Sequence, residues 1–88
     1  VNSPLVLVSD DPEALSKACR IINGIPAIQA VNETMKTYIT ILPVLKNFGS
    51  TLILTQAHPQ DELDELMNTA KTLGIESYQI CYIPAKSQ

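Results

Sequence analysis

The side chains best placed to do chemistry in this chain are few, and they follow short apolar runs. They are Ser9, Asp10 and Asp11, then Asn32 and Glu33, then Gln56 and His58. An acidic pair after an apolar strand is the beginning of a phosphate-accepting pocket. Such a pocket needs a further Asp at the end of the next-but-one strand, and here that run ends in Thr55-Gln56. The last apolar run offers no Lys either, so Asp10 and Asp11 read as helix-capping residues. His58 is the only histidine, which leaves neither a His-rich metal site nor a Ser/His/Asp triad to be built from this chain. A lone histidine beside Pro59 reads first as a solvated loop residue, and otherwise as a ligand contact. The three glycines stand singly at 24, 49 and 74. Each suits a helix stop before the next strand, and together they make no phosphate-cradling loop.

The elements that must position these groups follow from periodicity. Residues 5–8, 27–31, 51–55 and 79–83 read as strands, and residues 11–22, 33–47 and 61–73 as amphipathic helices. Asp11 and Pro12 suit the start of the first helix, and Asn23-Gly24 its end. Asn32 is expected to cap the second helix. Its broad apolar face of Met35, Tyr38, Ile39, Ile41, Leu42, Leu45 and Phe48 predicts the most buried of the three. Pro43 inside that pattern predicts a kink or a restart. Leu63, Leu66, Met67, Ala70 and Leu73 form the stripe of the third helix, closed by Gly74. Strands alternating with helices imply βαβ crossovers and a parallel sheet. In such sheets functional groups gather at the carboxyl ends of the strands.

Composition narrows the class. With 88 residues the chain is one small α/β unit. Its net charge of −3 and six scattered Lys and Arg provide no basic stripe for nucleic acid. No run approaches the ~18 apolar residues of a membrane span, and no signal peptide opens the chain, so a cytoplasmic address is expected. Cys19 and Cys81 stand far apart without zinc or iron–sulfur spacing and read as small buried hydrophobes. Asp61, Glu62, Asp64 and Glu65 sit where a helix start favours negative charge. A chain that opens on Val1, introduces a strand at Pro4 and stops on a bare strand reads as a segment of something longer.

Side chains alternate faces along a strand, and the two faces differ here. One carries Ile28, Ala30, Leu52, Leu54, Ile80 and Tyr82. The other carries Ala27, Gln29, Val31, Thr51, Ile53, Thr55, Gln79, Cys81 and Ile83. A doubly wound sheet, covered on both sides, calls for two apolar faces. The asymmetry favours helices on one side only, a parallel βαβαβαβ arrangement that is part of a (β/α)8 barrel with its lumen face open. The alternative is a flavodoxin-like three-layer sandwich.

The run Pro4-Leu5-Val6-Leu7-Val8-Ser9-Asp10-Asp11-Pro12-Glu13-Ala14-Leu15 resembles the opening of a barrel repeat in the large subunit of corrinoid iron–sulfur proteins. Ile28-Gln29-Ala30-Val31-Asn32-Glu33, the Lys46-Asn47-Phe48-Gly49 turn, Asp61-Glu62-Leu63-Asp64-Glu65-Leu66 and Leu73-Gly74-Ile75-Glu76 are similar too. Those proteins carry methyl groups on cobalamin in the acetyl-CoA synthase/decarbonylase system. They share a superfamily with pterin-dependent methyltransferases and dihydropteroate synthase. The methyltransferase relatives bind pterin through an Asp and an Asn at successive strand ends, and the matching positions here are Val8 and Gln29. Val8 cannot accept the pterin hydrogens, and Gln29 is one methylene longer than Asn. The four-Cys cluster motif and a cobalamin-binding domain are lacking as well.

The resemblance therefore implies a non-catalytic scaffold segment of a methyl-carrier barrel, with cobalamin in the parent complex and no cofactor held by this chain. Its expected partners are the rest of a barrel or a second copy, together with corrinoid-protein subunits. The alternatives are a pterin-dependent methyltransferase fragment and a small flavodoxin-like interaction module. Asp10, Gln29, Asn32 and His58 are the candidate ligand-binding residues, with Asn32 serving as a helix cap in the bland reading.

Overall fold

The computed structural model describes residues 5–84; Val1 and Pro4, on which two of the sequence expectations rest, lie outside them. Strands β1 (Val6–Val8), β2 (Ala27–Gln29), β3 (Thr51–Leu54) and β4 (Ile80–Tyr82) alternate with helices α1 (Pro12–Ile21), α2 (Met35–Phe48) and α3 (Gln60–Thr72). A short 3-10 turn, Ser77–Gln79, leads into β4. All strand pairs are parallel, and their spatial order is β1-β2-β3-β4. A flavodoxin-like sheet would place β1 between β2 and β3, so that alternative gives way to the sequential order.

Local sequence explains where α1 and α2 begin. Asp11 caps α1 by accepting the Glu13 N–H at 3.0 Å, and Pro12 occupies a first-turn position where its missing donor costs nothing. The cap of α2 is Thr34, whose Oγ1 accepts the Thr37 N–H at 3.2 Å. Asn32, expected in that role, stands two residues too early and has its amide drawn to Asp10. Helix α2 runs unbroken through Pro43. The proline is exposed, as is Ile39 four residues earlier, so water can satisfy the carbonyl that the proline leaves without a donor. Gly49, at φ +72°, ends the helix by returning its N–H to Leu45 O at 2.8 Å. A left-handed turn there brings the chain directly into β3.

One core lies between the sheet and the helices. Ile28, Leu52 and Leu54 from the strands and Ala30, just after β2, join Leu15, Cys19, Tyr38, Ile41, Leu42, Val44, Leu45, Leu66 and Ala70 from the helices. Helix α2 contributes five of these, more than any other element, and packs between α1 and α3, as its broad apolar face predicts. Each fully buried Leu or Ile contributes roughly 1.5–3 kcal/mol. Burial alternates along β2 and β3, so only one face of the sheet is covered. On the uncovered face the strand register aligns Val8, Gln29, Ile53 and Cys81 in one row and Val6, Ala27 and Thr51 in the next.

Two further residues depart from the sequence reading. Gln79 belongs to the 3-10 turn, so strand parity does not apply to it. It is buried, donating to the carbonyls of Leu45 at 3.1 Å and Ser50 at 2.9 Å while accepting the Glu76 N–H at 3.0 Å. This side chain anchors the entry to β4 against the α2–β3 turn. Cys19 is buried as expected, but Cys81 is only partly so, because it lies in the open row of the sheet.

Candidate functional site

The polar residues after β1, β2 and β3 converge at one end of the sheet, where parallel strands deliver their carboxyl-end loops side by side. They form two hydrogen-bonded groups. In the first, Asp10 reaches from the end of β1 to the end of β2. Its carboxylate accepts the Val31 N–H at 2.6 Å, the Asn32 N–H at 3.1 Å and the Asn32 side-chain amide at 2.8 Å. Partial desolvation opposes its ionisation. The backbone N–H groups of Asn32 and Val31 and the Asn32 amide outweigh that effect and hold the carboxyl below its ordinary value. Asp10 and Asn32, both candidate ligand contacts, are thus brought together and satisfy each other.

The second group centres on Glu33. One carboxylate oxygen accepts the Thr55 N–H at 2.7 Å and the Tyr38 hydroxyl at 3.0 Å, while the other accepts the Thr55 hydroxyl. Burial works against ionisation of Glu33. Donation from the Thr55 hydroxyl and N–H, the Tyr38 hydroxyl and the Gln56 N–H prevails and places the carboxyl below its usual range. The same environment raises Tyr38, first through burial of the phenol and then through its hydrogen bond and proximity to the Glu33 charge.

His58 completes this group. Its Nε2 lies 2.9 Å from the Tyr38 hydroxyl, and the two rings meet edge to face with centroids 5.3 Å apart. An ionised carboxylate only accepts, so Tyr38 spends its single hydrogen on Glu33. The Tyr38 oxygen must then accept from His58, which assigns the imidazole proton to Nε2. Nδ1 has no partner among the described residues and is not among the buried unsatisfied atoms, so it is left open as an acceptor. The solvated loop histidine expected from sequence is in fact half-buried and oriented.

Gln29, the remaining candidate, is not part of either group. It sits mid-row on the uncovered sheet face beside Val8 and Ile53. A cleft of about 450 Å³ opens above β2 and β3, lined by Val31, Asn32, Glu33, Thr34, Gln56, Ala57 and His58. A smaller recess of about 150 Å³ shares Gln56, Ala57 and His58 with this cleft and is lined further by Leu63 and Tyr82. Among the described residues no group of three or more His, Cys, Asp or Glu side chains could hold a metal ion. No described helix is long and apolar enough to cross a membrane.

The site residues that sequence reasoning missed are Tyr38 and Thr55. In sequence Tyr38 falls in the apolar stripe of the second helix, and Thr55 on the strand face opposite the core residues. The available signal was position: Tyr38 lies one turn into α2, which starts at the same end of the sheet where β3 finishes. No family model, curated protein or solved structure significantly matches this chain.

Proposed function

We propose that this chain is a non-catalytic scaffold segment of a corrinoid methyl-carrier barrel, whose open sheet face is closed by further strands. The observation that carries the scaffold reading is the uncovered face. Val6 and Val8 at 41% and 58% exposure flank a sheet whose other side is packed to the level of Ile28 and Leu52 at 0%. Both β1 and β4 are edge strands with unpaired backbone groups, and proteins normally cover such edges. Closing a parallel sheet with helices outside and side chains inside yields a barrel of about eight strands. The parent complex is the one the Pro4–Leu15 resemblance implies, with cobalamin carried elsewhere in it.

The non-catalytic reading is supported by how the polar strand ends are used. Asp10 is engaged by Asn32, and Glu33 by Thr55 and Tyr38, so these side chains are occupied in holding the strand ends together. At the positions matching the pterin contacts, Val8 offers no polar group and Gln29 stands in an apolar row.

The test combines association with ligand binding. In sedimentation the chain is expected to associate with itself or with a companion half-barrel, and Ile53→Glu on the open face is expected to abolish this while leaving the far-UV spectrum unchanged. A compact monomer at millimolar concentration that ignores any companion half-barrel refutes the scaffold. Binding of methyltetrahydrofolate that disappears in Gln29→Leu with the melting curve intact would favour the methyltransferase reading instead.

A further inference from the structure

In the loops that follow the strands most polar side chains are already paired, and two that are not lie together. Asp10 and Asn32 engage each other, Glu33 holds Thr55 and Tyr38, and Thr34 caps α2 while bonding Thr37. On the β3–α3 loop, by contrast, the Gln56 carboxamide has no hydrogen-bond partner among the described residues, and His58 retains an open Nδ1. These two residues flank Ala57, and all three line both the 450 Å³ polar cleft and the 150 Å³ recess against Leu63 and Tyr82.

The chemistry of the pair is complementary to one kind of group. In the tautomer whose Nε2 donates to Tyr38, the His58 Nδ1 is a hydrogen-bond acceptor. Gln56 can donate its amide hydrogens to a carbonyl. A neutral carboxamide offers both an N–H and a C=O from one planar group. The recess beside it is walled by Leu63, Ala57 and the Tyr82 ring, a surface that favours an apolar ring over a charged one. We infer that the β3–α3 loop binds a small neutral carboxamide carried on an apolar ring, with His58 Nδ1 accepting its N–H and Gln56 donating to its carbonyl.

The role of Tyr38 and Glu33 is positioning. Their chain of donation, His58 to Tyr38 to Glu33, fixes the imidazole tautomer and ring orientation before a ligand arrives.

Benzamide and methyl benzoate separate the proposal from simple apolar binding, since the ester keeps the ring and carbonyl but has no N–H. With the full 15N-labelled chain, benzamide is expected to shift the Gln56 side-chain amide and the His58 ring signals saturably, and methyl benzoate to bind more weakly. Gln56→Ala, which removes an exposed side chain, and His58→Ala should each weaken benzamide by about 3- to 10-fold, the loss of one hydrogen bond. Equal binding of ester and amide, shifts mapping away from the loop, or full affinity in Gln56→Ala overturns the inference. Gln56→Ala decides the question even if His58→Ala perturbs folding.

Discussion

Replacing Glu33 tests whether one carboxylate ties the ends of β2, β3 and the first turn of α2 together. In Glu33→Ala the Thr55 N–H, the Thr55 hydroxyl and the Tyr38 hydroxyl each lose their acceptor. Hydrogen bonds to a charged group contribute roughly 1.5–3 kcal/mol each, and an orphaned buried donor costs about 1–3 kcal/mol. The cleft admits water to part of the site, so the sum is well below three full bonds, and a loss of about 2–4 kcal/mol is expected. Glu33→Gln keeps one acceptor and the side-chain shape, and should lose about 1 kcal/mol. The assay is urea unfolding followed by circular dichroism at several pH values. Because the folded carboxyl titrates below its ordinary value of 4.5, its contribution is fully present above that value. It is lost as pH falls through the lower folded pKa. The gap between wild type and Glu33→Ala should therefore be widest above pH 5 and narrow in acid. Equal stabilities, or a gap that does not change with pH, would refute the reasoning.

Three further outcomes follow from the same contacts. Asp10→Ala removes the acceptor of the Val31 and Asn32 N–H groups, so hydrogen exchange at those two amides should accelerate in the mutant, whereas Asn32→Ala, which deletes only the side-chain donor, should leave Val31 protected. Leu52→Ala empties a fully buried core position and should cost about 2–5 kcal/mol, while Ile53→Ala, one residue along on the open face, should cost less than about 1 kcal/mol in the unassociated chain and act chiefly on association, as read by sedimentation. Tyr38, raised by burial and by the Glu33 charge, should stay protonated in an ultraviolet titration past pH 10, and Tyr38→Phe should remove the resistant chromophore; its stabilising neutral form is present below the ordinary tyrosine value and lost as pH climbs through the raised one.

Much of the architecture was legible because it rests on local, periodic physics. Apolar alternation marked the strands, and the spacing of Leu15 and Cys19, of Ile41, Leu42 and Leu45, and of Leu66 and Ala70 marked the buried stripes. The polar and small residues on one strand face, Gln29 and Thr51 among them, announced that helices cover only the other side. Local pattern failed where a contact came from far along the chain. Asn32 has the composition of a helix cap, but Asp10, 22 residues earlier, holds its amide and leaves the capping to Thr34. Gln79 looked like a strand residue facing the lumen until the carbonyls of Leu45 and Ser50 drew it into the interior.

For the candidate site the division is sharper. The sequence by itself determined that the useful polar groups follow the strands, because a parallel sheet gathers those loops at one end whatever the side chains do there. It also determined that His58 has no second histidine to pair with. Only the tertiary structure decided that Tyr38 rises from α2 to meet it, that Glu33 takes the tyrosine's hydrogen, and that Nδ1 is the nitrogen left over. Those choices depend on which strands are neighbours and on how far α2 sits above them. Periodicity is a property of residues a few positions apart; Tyr38 and His58 lie 20 residues apart and Glu33 and Thr55 22, yet each pair is brought within 3.0 Å by the packing of a helix on a sheet.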